Sequence, residues 1–424
     1  MEILAKAERD ALTGLMGPDP ARRRLERWLD EGPVHALLLA LPRLDAVNLA
    51  WGSAVGDGAL AEVAARLSHF ASEELDAQWF SARIGGGSFL VATREPCSRE
   101  RWALFAEGLA DAVARPIAAL GGDVRLSPRV ALLRALPGED AESVLDRLAE
   151  TIAALGRRST RRTGWVDGRM ARTGGGSGKL EADILKAIDR DEIEILFQPQ
   201  YGLPGNALIG AEALARWQHP QVGRIGAGAL FAVAERADHL AQLSRHIAAK
   251  ACAQAARWPE PLQLSINVTA ADLAAENYPV ALLAILEESG LCPSRLLIEV
   301  TEQALIADIE LARRSLGHLV SQGVRVALDD FGAGFCNFRY LKLLPLQKLK
   351  LDRSMIEGLG EDPRDLAVLR GIVAMARALE LGVIAEGVET EGQRTAIEAE
   401  GCGSWQGFLG SEPIDSAAFA ALLA

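Results

Sequence analysis

The sequence predicts an α/β protein of two domains: an N-terminal α/β domain with a mixed sheet, and a C-terminal TIM-like (β/α)8 barrel. Three observations predict it. The chain has 424 residues, 49% hydrophobic and 24% charged, which is enough for two or three globular cores. Strand-like and helix-like stretches alternate in both halves, interrupted by an Arg- and Gly-rich run at 157–179. After that run, eight strand candidates alternate with helices, and such barrels take about 250 residues.

The totals exclude several function classes. A formal net charge of −12 argues against a nucleic-acid partner, because coating a phosphate backbone requires an excess of Lys and Arg. The five cysteines (Cys97, Cys252, Cys292, Cys336, Cys402) are scattered and odd in number, so free thiols in a reducing cytoplasm are expected. The histidines form no zinc pattern. The apolar run Ala36 to Leu41 is far short of the ~20 residues of a membrane span, so no membrane segment is expected. Met1 lies nine residues before the first motif, so an upstream sensory module of a longer parent protein would be missing.

Taken in order, Ala21 to Asp30 reads as an amphipathic helix with Arg22, Arg23, Arg24 and Arg27 on its wet side. Val34 to Leu41 is a buried strand, and Val55 to Phe70 is helical. Trp79 to Ile84 and Phe89 to Thr93 are two strands joined at Gly85-Gly86-Gly87-Ser88, a hairpin signal. Arg101 to Leu120 is a helix, Val124 to Leu133 a strand, Ala141 to Leu155 a helix, and Gly164-Trp165-Val166 a final strand. Hairpin pairing implies a mixed or antiparallel sheet.

Asp10-Ala11-Leu12-Thr13-Gly14-Leu15, the 85–89 hairpin, and Asn48, Gly52, Gly56 and Asp57 carry a resemblance to the GGDEF (diguanylate cyclase) family. The resemblance covers about 150 residues, and the family's chemistry is missing from it. Gly87 and Ser88 stand where the acidic pair belongs, Ala40 where a metal-binding Asp belongs, and Pro42 at a second acidic position. The inhibitory RxxD pattern is replaced by Asp76-Ala77-Gln78-Trp79. Phosphoryl transfer without metal-holding carboxylates loses most of its electrostatic catalysis, so this domain is expected to make no cyclic dinucleotide. Asn48 and Asp57 either hold GTP, as the resemblance implies, or are ordinary turn and cap residues. The domain is assigned to 1–156.

Residues 157–179 read as a flexible linker, with Arg157, Arg158, Arg161, Arg162, Arg169 and Arg172 before Gly174-Gly175-Gly176-Ser177-Gly178. The barrel domain is assigned to 180–424, opening with a helix from Leu180 to Asp189. Its strand candidates are Ile193 to Phe197, Ile209 to Ala213, Leu262 to Val268, Leu296 to Val300, Val324 to Leu328, Lys348 to Leu351, Val383 to Ala385, and Trp405 to Phe408. Helices are expected at Ala229 to Trp258, Tyr278 to Ser289, Ile309 to Gln322, Leu366 to Leu381 and Thr390 to Glu400. In such barrels chemistry sits at the C-terminal strand ends. Those ends carry Glu212, Asn267, Glu299 with Glu302, Asp329-Asp330, Lys350 with Asp352, Glu386 with Glu389, and Gln406. Any one of these is an ordinary cap or buried polar residue. Their recurrence at one rim is what points to a site.

Glu212-Ala213-Leu214, preceded by Gln198-Pro199, is similar to the signature of the EAL family of cyclic di-GMP phosphodiesterases. Ser265-Ile266-Asn267, Glu299-Val300-Thr301-Glu302, Asp329-Asp330-Phe331-Gly332, Lys350-Leu351-Asp352, Glu386-Gly387-Val388-Glu389 and Gln406-Gly407 follow in the family's order. The resemblance implies hydrolysis of cyclic di-GMP to pGpG with two divalent ions, Mg²⁺ or Mn²⁺, and a homodimer through the barrel. It implies Glu212, Asn267, Glu299, Asp329, Asp330 and Glu386 as metal ligands, all hard oxygen donors. It implies Lys350 as the group that orients the water, Asp352 as the residue orienting Lys350, and Glu302 as the brace of the loop after Asp330. Gln198, Leu214, Arg216, Glu389 and Gln406 are implied at the substrate. Cys336 and Asn337 depart from the family's Ser-Ser, and Gly403 from an Asp, without removing a ligand. The alternative is a receptor or scaffold that binds cyclic di-GMP without cleaving it, but such proteins usually lose ligands or the lysine, and this chain keeps both.

Overall fold

The computed structural model describes residues 8–423 except 43, 76–77, 96, 120–121, 136–138, 159–161, 167–172, 306–307, 333–337 and 360–362. It divides into two compact units: 1–187 with 217–237, and 188–216 with 238–424.

The first unit contains α1 (Pro18–Glu31), β1 (Val34–Ala40), α2 (Leu44–Trp51), α3 (Ser53–Glu74), β2 (Trp79–Gly85), β3 (Ser88–Thr93) and α4 (Arg99–Ala114). There follow β4 (Ile117–Ala119), β5 (Gly122–Val124), β6 (Arg129–Ala135), α5 (Ala141–Arg158), β7 (Thr163–Trp165) and α6 (Thr173–Asp189). Its sheet runs β2-β3-β1-β6-β7, antiparallel except for the parallel β6–β7 pair, and so is mixed as expected. The central strand β1 is buried along its whole length. Its alternation sends Leu37 and Leu39 to a core with α3 and α4, and Ala36 and Leu38 to a core on the opposite face.

Several local expectations are corrected. The helix expected over Arg101 to Leu120 stops at Ala114, because Pro116 pushes Arg115 into an extended conformation. The strand expected over Val124 to Leu133 is two strands separated at 125–128, where Pro128 lacks a ladder donor. The short helix α2 was not anticipated. Helix α6 starts at Thr173 rather than Leu180, so the glycine run lies within it. Propagating a helix from a packed turn costs far less than nucleating one, and Leu180, Ile184 and Ala187 are buried.

The second unit is the barrel: β8 (Ile193–Gly202), β9 (Leu208–His219), then, after an excursion, β11 (Gln263–Val268) onward. The excursion is β10 (Gly223–Ile225) and α7 (Ala227–Arg236), and α8 (Leu240–Ala255) follows it. The helix expected over Ala229 to Trp258 is thus two, broken where Asp238 takes a left-handed φ of 60°. Next come α9 (Ala270–Ala274), α10 (Tyr278–Ser289), β12 (Leu296–Thr301), α11 (Ile309–Ser321), β13 (Arg325–Phe331), α12 (Phe338–Leu343), β14 (Lys348–Leu351) and α13 (Ser354–Glu357). The chain ends with α14 (Pro363–Ala378), β15 (Gly382–Ala385), α15 (Glu391–Glu400), β16 (Ser404–Trp405) and α16 (Ser416–Ala421). The barrel order is β9-β11-β12-β13-β14-β15-β16-β8, closed by β8 on β9. Seven strands are parallel, but β8 runs antiparallel to β16. The cause is local: only 203–207 join β8 to β9, too short for a crossover.

Candidate active site

Alternation along the barrel strands stacks chemistry on packing. Leu297, Ala327 and Ile384 form an apolar cluster, and the residues two further along are Glu299, Asp329 and Glu386. The rim acids therefore stand on a dry floor.

Lys350 sits at the centre of that layer and is 1% exposed. Its Nζ lies 2.5 Å from Glu299 Oε2, 2.6 Å from Glu386 Oε1, 3.2 Å from Asp329 Oδ1 and 3.3 Å from Glu212 Oε2. Burial works against its charge, but Asp329, Glu212, Glu299 and Glu386 together hold its pKa well above the ordinary lysine value. Glu299 is pushed well above the usual carboxylate range by burial and by Glu212, and Glu386 likewise by burial despite Lys350. Glu212 is buried too, yet Lys350, Gln406 and Asn267 hold it below its ordinary value.

Asp329 and Asp330 extend β13 beyond the expected end at Leu328, to Phe331. The register with β14 shifts between Leu328 and Phe331, and Asp330 takes a φ of 57°. This bulge re-aims the two successive carboxylates, at the cost of a conformation that non-glycine residues rarely adopt. Oxygens of Asp329, Asp330 and Glu386 lie within 4.8 Å of one another.

Asn267 Nδ2 donates to Glu212 Oε1 at 2.7 Å. Gln406 Nε2 donates to Glu212 Oε2 at 2.7 Å and to Glu386 Oε1 at 3.0 Å. Sequence reasoning missed Gln200, which is 3% exposed and donates to Gln406 Oε1 at 2.8 Å. The available signal was its place two residues after Gln198, on the same face of β8. Ser265 is fully buried beside it, with Oγ 3.4 Å from Gln200 Nε2.

Among the described residues no hydrogen bond or ion pair joins Asp352 to Lys350, and Asp352 Oδ1 accepts from the Ser354 amide at 2.9 Å. Glu389 pairs with Arg353 Nη2 at 2.8 Å. Glu212, Leu214 and Arg216 share one face of β9, with Leu214 half-buried and Arg216 buried and donating to the Ala215 carbonyl at 2.9 Å. Gln198 is half-buried on β8. Glu302 is half-buried and opens a 3₁₀ turn, Glu302–Leu305. The loop it was expected to brace, with Cys336 and Asn337, lies outside the described residues.

The donor set fits divalent cations. Four carboxylates face one ammonium, and burial pushes Glu299 and Glu386 toward their protonated forms, so the cluster lacks the positive charge to ionise all four. Glu299 Oε1 is a buried acceptor without a hydrogen-bond partner among the described residues. Hard carboxylate and amide oxygens suit Mg²⁺ or Mn²⁺ rather than a softer metal.

The counterpart hairpin of the first unit differs. A side chain at Gly87 would meet Leu41 Cβ at 3.1 Å and Leu44 Cδ2 at 3.3 Å, and Ala40 is buried. Asp10 is pinned by Thr13 and by Arg83 Nη1 at 3.2 Å. Asn48 is half-buried on α2, and Asp57 is exposed on α3. Asp76 and Ala77 lie outside the described residues.

Among the described residues, no helix is long and apolar enough to cross a membrane. The EAL domain family model matches residues 181–413, and the diguanylate cyclase GGDEF domain model matches 7–162. An uncharacterized protein of Mycobacterium tuberculosis is 31% identical over 98% of this chain and 68% of its own. MucR of Pseudomonas aeruginosa, named a bifunctional diguanylate cyclase/cyclic di-GMP phosphodiesterase, is 32% identical over 97% of this chain and 61% of its own. The solved structure of the PaMucR phosphodiesterase in complex with c-di-GMP is 35% identical and superposes with a TM-score of 0.54, covering 57% of this chain and 99% of its own. With that match spanning more than half its length, the chain belongs to the EAL domain family and carries a GGDEF-family domain ahead of its barrel.

Proposed function

We propose that the barrel hydrolyses cyclic di-GMP to pGpG, and that the GGDEF-like domain is catalytically inactive and regulatory. The observation that carries this reading is the buried Lys350 ringed by Glu212, Glu299, Asp329 and Glu386 at one strand-end rim. Family membership and the likeness to a c-di-GMP-bound phosphodiesterase support it.

Glu212, Asn267, Glu299, Asp329, Asp330 and Glu386 are the residues that would hold two divalent ions, Mg²⁺ or Mn²⁺. Such ions, when bound, supply an activated water and charge neutralisation at the scissile phosphate. Lys350 donates hydrogen bonds that orient the attacking oxygen, and its charge offsets the charge building on the phosphate. Gln406 holds Glu212 and Glu386 in place, and is itself held by Gln200. Arg216 contacts a substrate phosphate, and Gln198 and Leu214 line the ligand pocket. Glu302 braces the loop after Asp330. Glu389, with Arg353, borders the substrate.

The inactivity of the first domain is supported by the apolar filling of its hairpin site. Its capacity for GTP is supported by Asn48 Oδ1, buried without a partner among the described residues. Boundaries at 1–156, 157–179 and 180–424, a homodimer through the barrel and a cytoplasmic setting complete the proposal; free Cys97, Cys252, Cys292 and Cys402 suit a reducing compartment.

Purified protein incubated with cyclic di-GMP and Mg²⁺ or Mn²⁺ yields pGpG, and chelation stops it. Binding without pGpG under both metals overturns the reading in favour of a receptor. Light scattering reports the dimer, and calorimetry with GTP reports the first domain's binding.

A further inference from the structure

The segment 217–237 leaves the barrel directly after Arg216 and packs in the first unit. A buried ion pair of that unit grips it. The Glu74 side chain has no solvent exposure, and Arg101 Nη2 donates to its Oε2 at 2.9 Å. Two backbone amides of the segment donate to the same carboxylate: Gly226 N at 3.0 Å and Ala229 N at 2.6 Å. Arg101 also donates through Nε to the Arg224 carbonyl at 2.7 Å and through Nη2 to the Glu74 carbonyl at 2.7 Å.

This grip is built by the sequence on both sides. Gly226 is the N-cap of α7 and offers no side-chain cap, so Glu74 takes the orphan amides at the positive end of the helix. A Cβ on Gly226 would lie 2.7 Å from Glu74 Cδ, and one on Gly228 would lie 2.9 Å from Phe70 Cε2. Only glycine admits the approach at both positions. A buried carboxylate left without these donors would be costly, so the arrangement specifies one geometry rather than merely adding stability.

The grip reaches the candidate active site through the backbone. Ile225 pairs with Trp217 and Gly223 with His219 in the β9–β10 hairpin. Trp217 follows Arg216 in the unbroken strand that also carries Leu214 and Glu212. We propose that Glu74 and Arg101 are positioning residues for substrate binding: by fixing the 217–237 segment in the first unit, they set the placement of Arg216 and so the affinity for cyclic di-GMP. The proposal rests on the phosphodiesterase reading above, and it assigns the inactive first domain a stated physical task.

The test uses the full chain, with Glu74→Ala, Glu74→Gln and Arg101→Lys compared with wild type. Glu74→Ala is expected to raise KM for cyclic di-GMP by about tenfold or more with kcat within about threefold, the pattern of lost uniform binding. Arg101→Lys, which keeps a charge on Glu74, is expected to fall between wild type and Glu74→Ala. Amide exchange at Gly226 and Ala229 is slow in wild type and accelerated in Glu74→Ala. Unchanged KM with accelerated exchange, or unaccelerated exchange, overturns the proposal. If Glu74→Ala fails to fold, Glu74→Gln and Arg101→Lys carry the same comparison. If wild type yields no pGpG, the phosphodiesterase reading has failed separately. The variants are then compared by Kd for cyclic di-GMP, where a tenfold weakening supports positioning and equality overturns it.

Discussion

The two units present opposite solutions at corresponding places. At the barrel rim, Glu212, Glu299, Asp329 and Glu386 are kept together around a single Lys350, with Glu299 and Glu386 forced away from their ordinary ionisation. At the hairpin of the first unit, the space an acidic pair would occupy is closed by Leu41 and Leu44 against Gly87. Where no acidic pair stands, apolar side chains fill the space, whereas clustered buried carboxylates persist only where something else compensates their charge.

The largest effect that sharpens this contrast is on turnover. Lys350→Ala or Glu212→Ala is expected to reduce pGpG formation by about 10³-fold or more, read by chromatography of products, because the first removes a cation at the reacting phosphate and the second a residue that would hold a divalent ion there. Near-wild-type rates in either variant break the comparison at its centre.

Acidity separates the units next. Burial, aided by Arg134, lowers the pKa of His35 on β1 from 6.5 to about 4. The unfolded chain then binds a proton that the folded one refuses between pH 6.5 and 4, so stability rises with pH through that window. About 3 kcal/mol of stability, present above pH 6.5, is lost on acidification to pH 4. Glu299 and Glu386 act in the reverse sense, since their raised values make the folded barrel hold protons that the unfolded chain has released. In chelator, their contribution is present below about pH 4.5 and is lost as pH rises through their folded values. Thermal unfolding across pH should show the first unit weakening on acidification, and His35→Leu should flatten that limb.

A smaller effect is expected from Gly87→Glu, which restores an acid without restoring its site. It should lower stability by roughly 1–3 kcal/mol through collision with Leu41 and Leu44 and yield no cyclic dinucleotide from GTP. Cyclic dinucleotide formed from GTP by this variant would break the comparison, because chemistry would then proceed despite the apolar filling. The smallest is Gln200→Leu, which strips the Gln406 carbonyl of its donor and is expected to cost about 1 kcal/mol, read as a several-fold drop in kcat/KM.

The rim cluster was legible in the sequence because polar residues at Glu212, Asn267, Glu299, Lys350, Glu386 and Gln406 recur at strand end after strand end, which no single cap or buried polar residue explains. The Asp329–Asp330 bulge was not legible, since a left-handed Asp330 depends on β14 pairing rather than on local preference. Gln200 escaped notice because an amide among apolar strand residues signals nothing until its partner 206 positions away is known. The reversed β8 was readable in principle from the short 203–207 connection, but alternating strands and helices elsewhere outweighed it.

The grip of Glu74 on Gly226 and Ala229 has a consequence for biosynthesis. The first unit's sheet is complete once Trp165 has been made, yet two of the donors to its buried carboxylate arrive only with residues 226 and 229. At about 5–20 residues per second, the interval is roughly 3–13 s, during which Glu74 lacks these two donors. The N-terminal unit therefore finishes folding only after the ribosome has translated the EAL motif, so a nascent chain truncated before residue 226 is released with this unit incomplete.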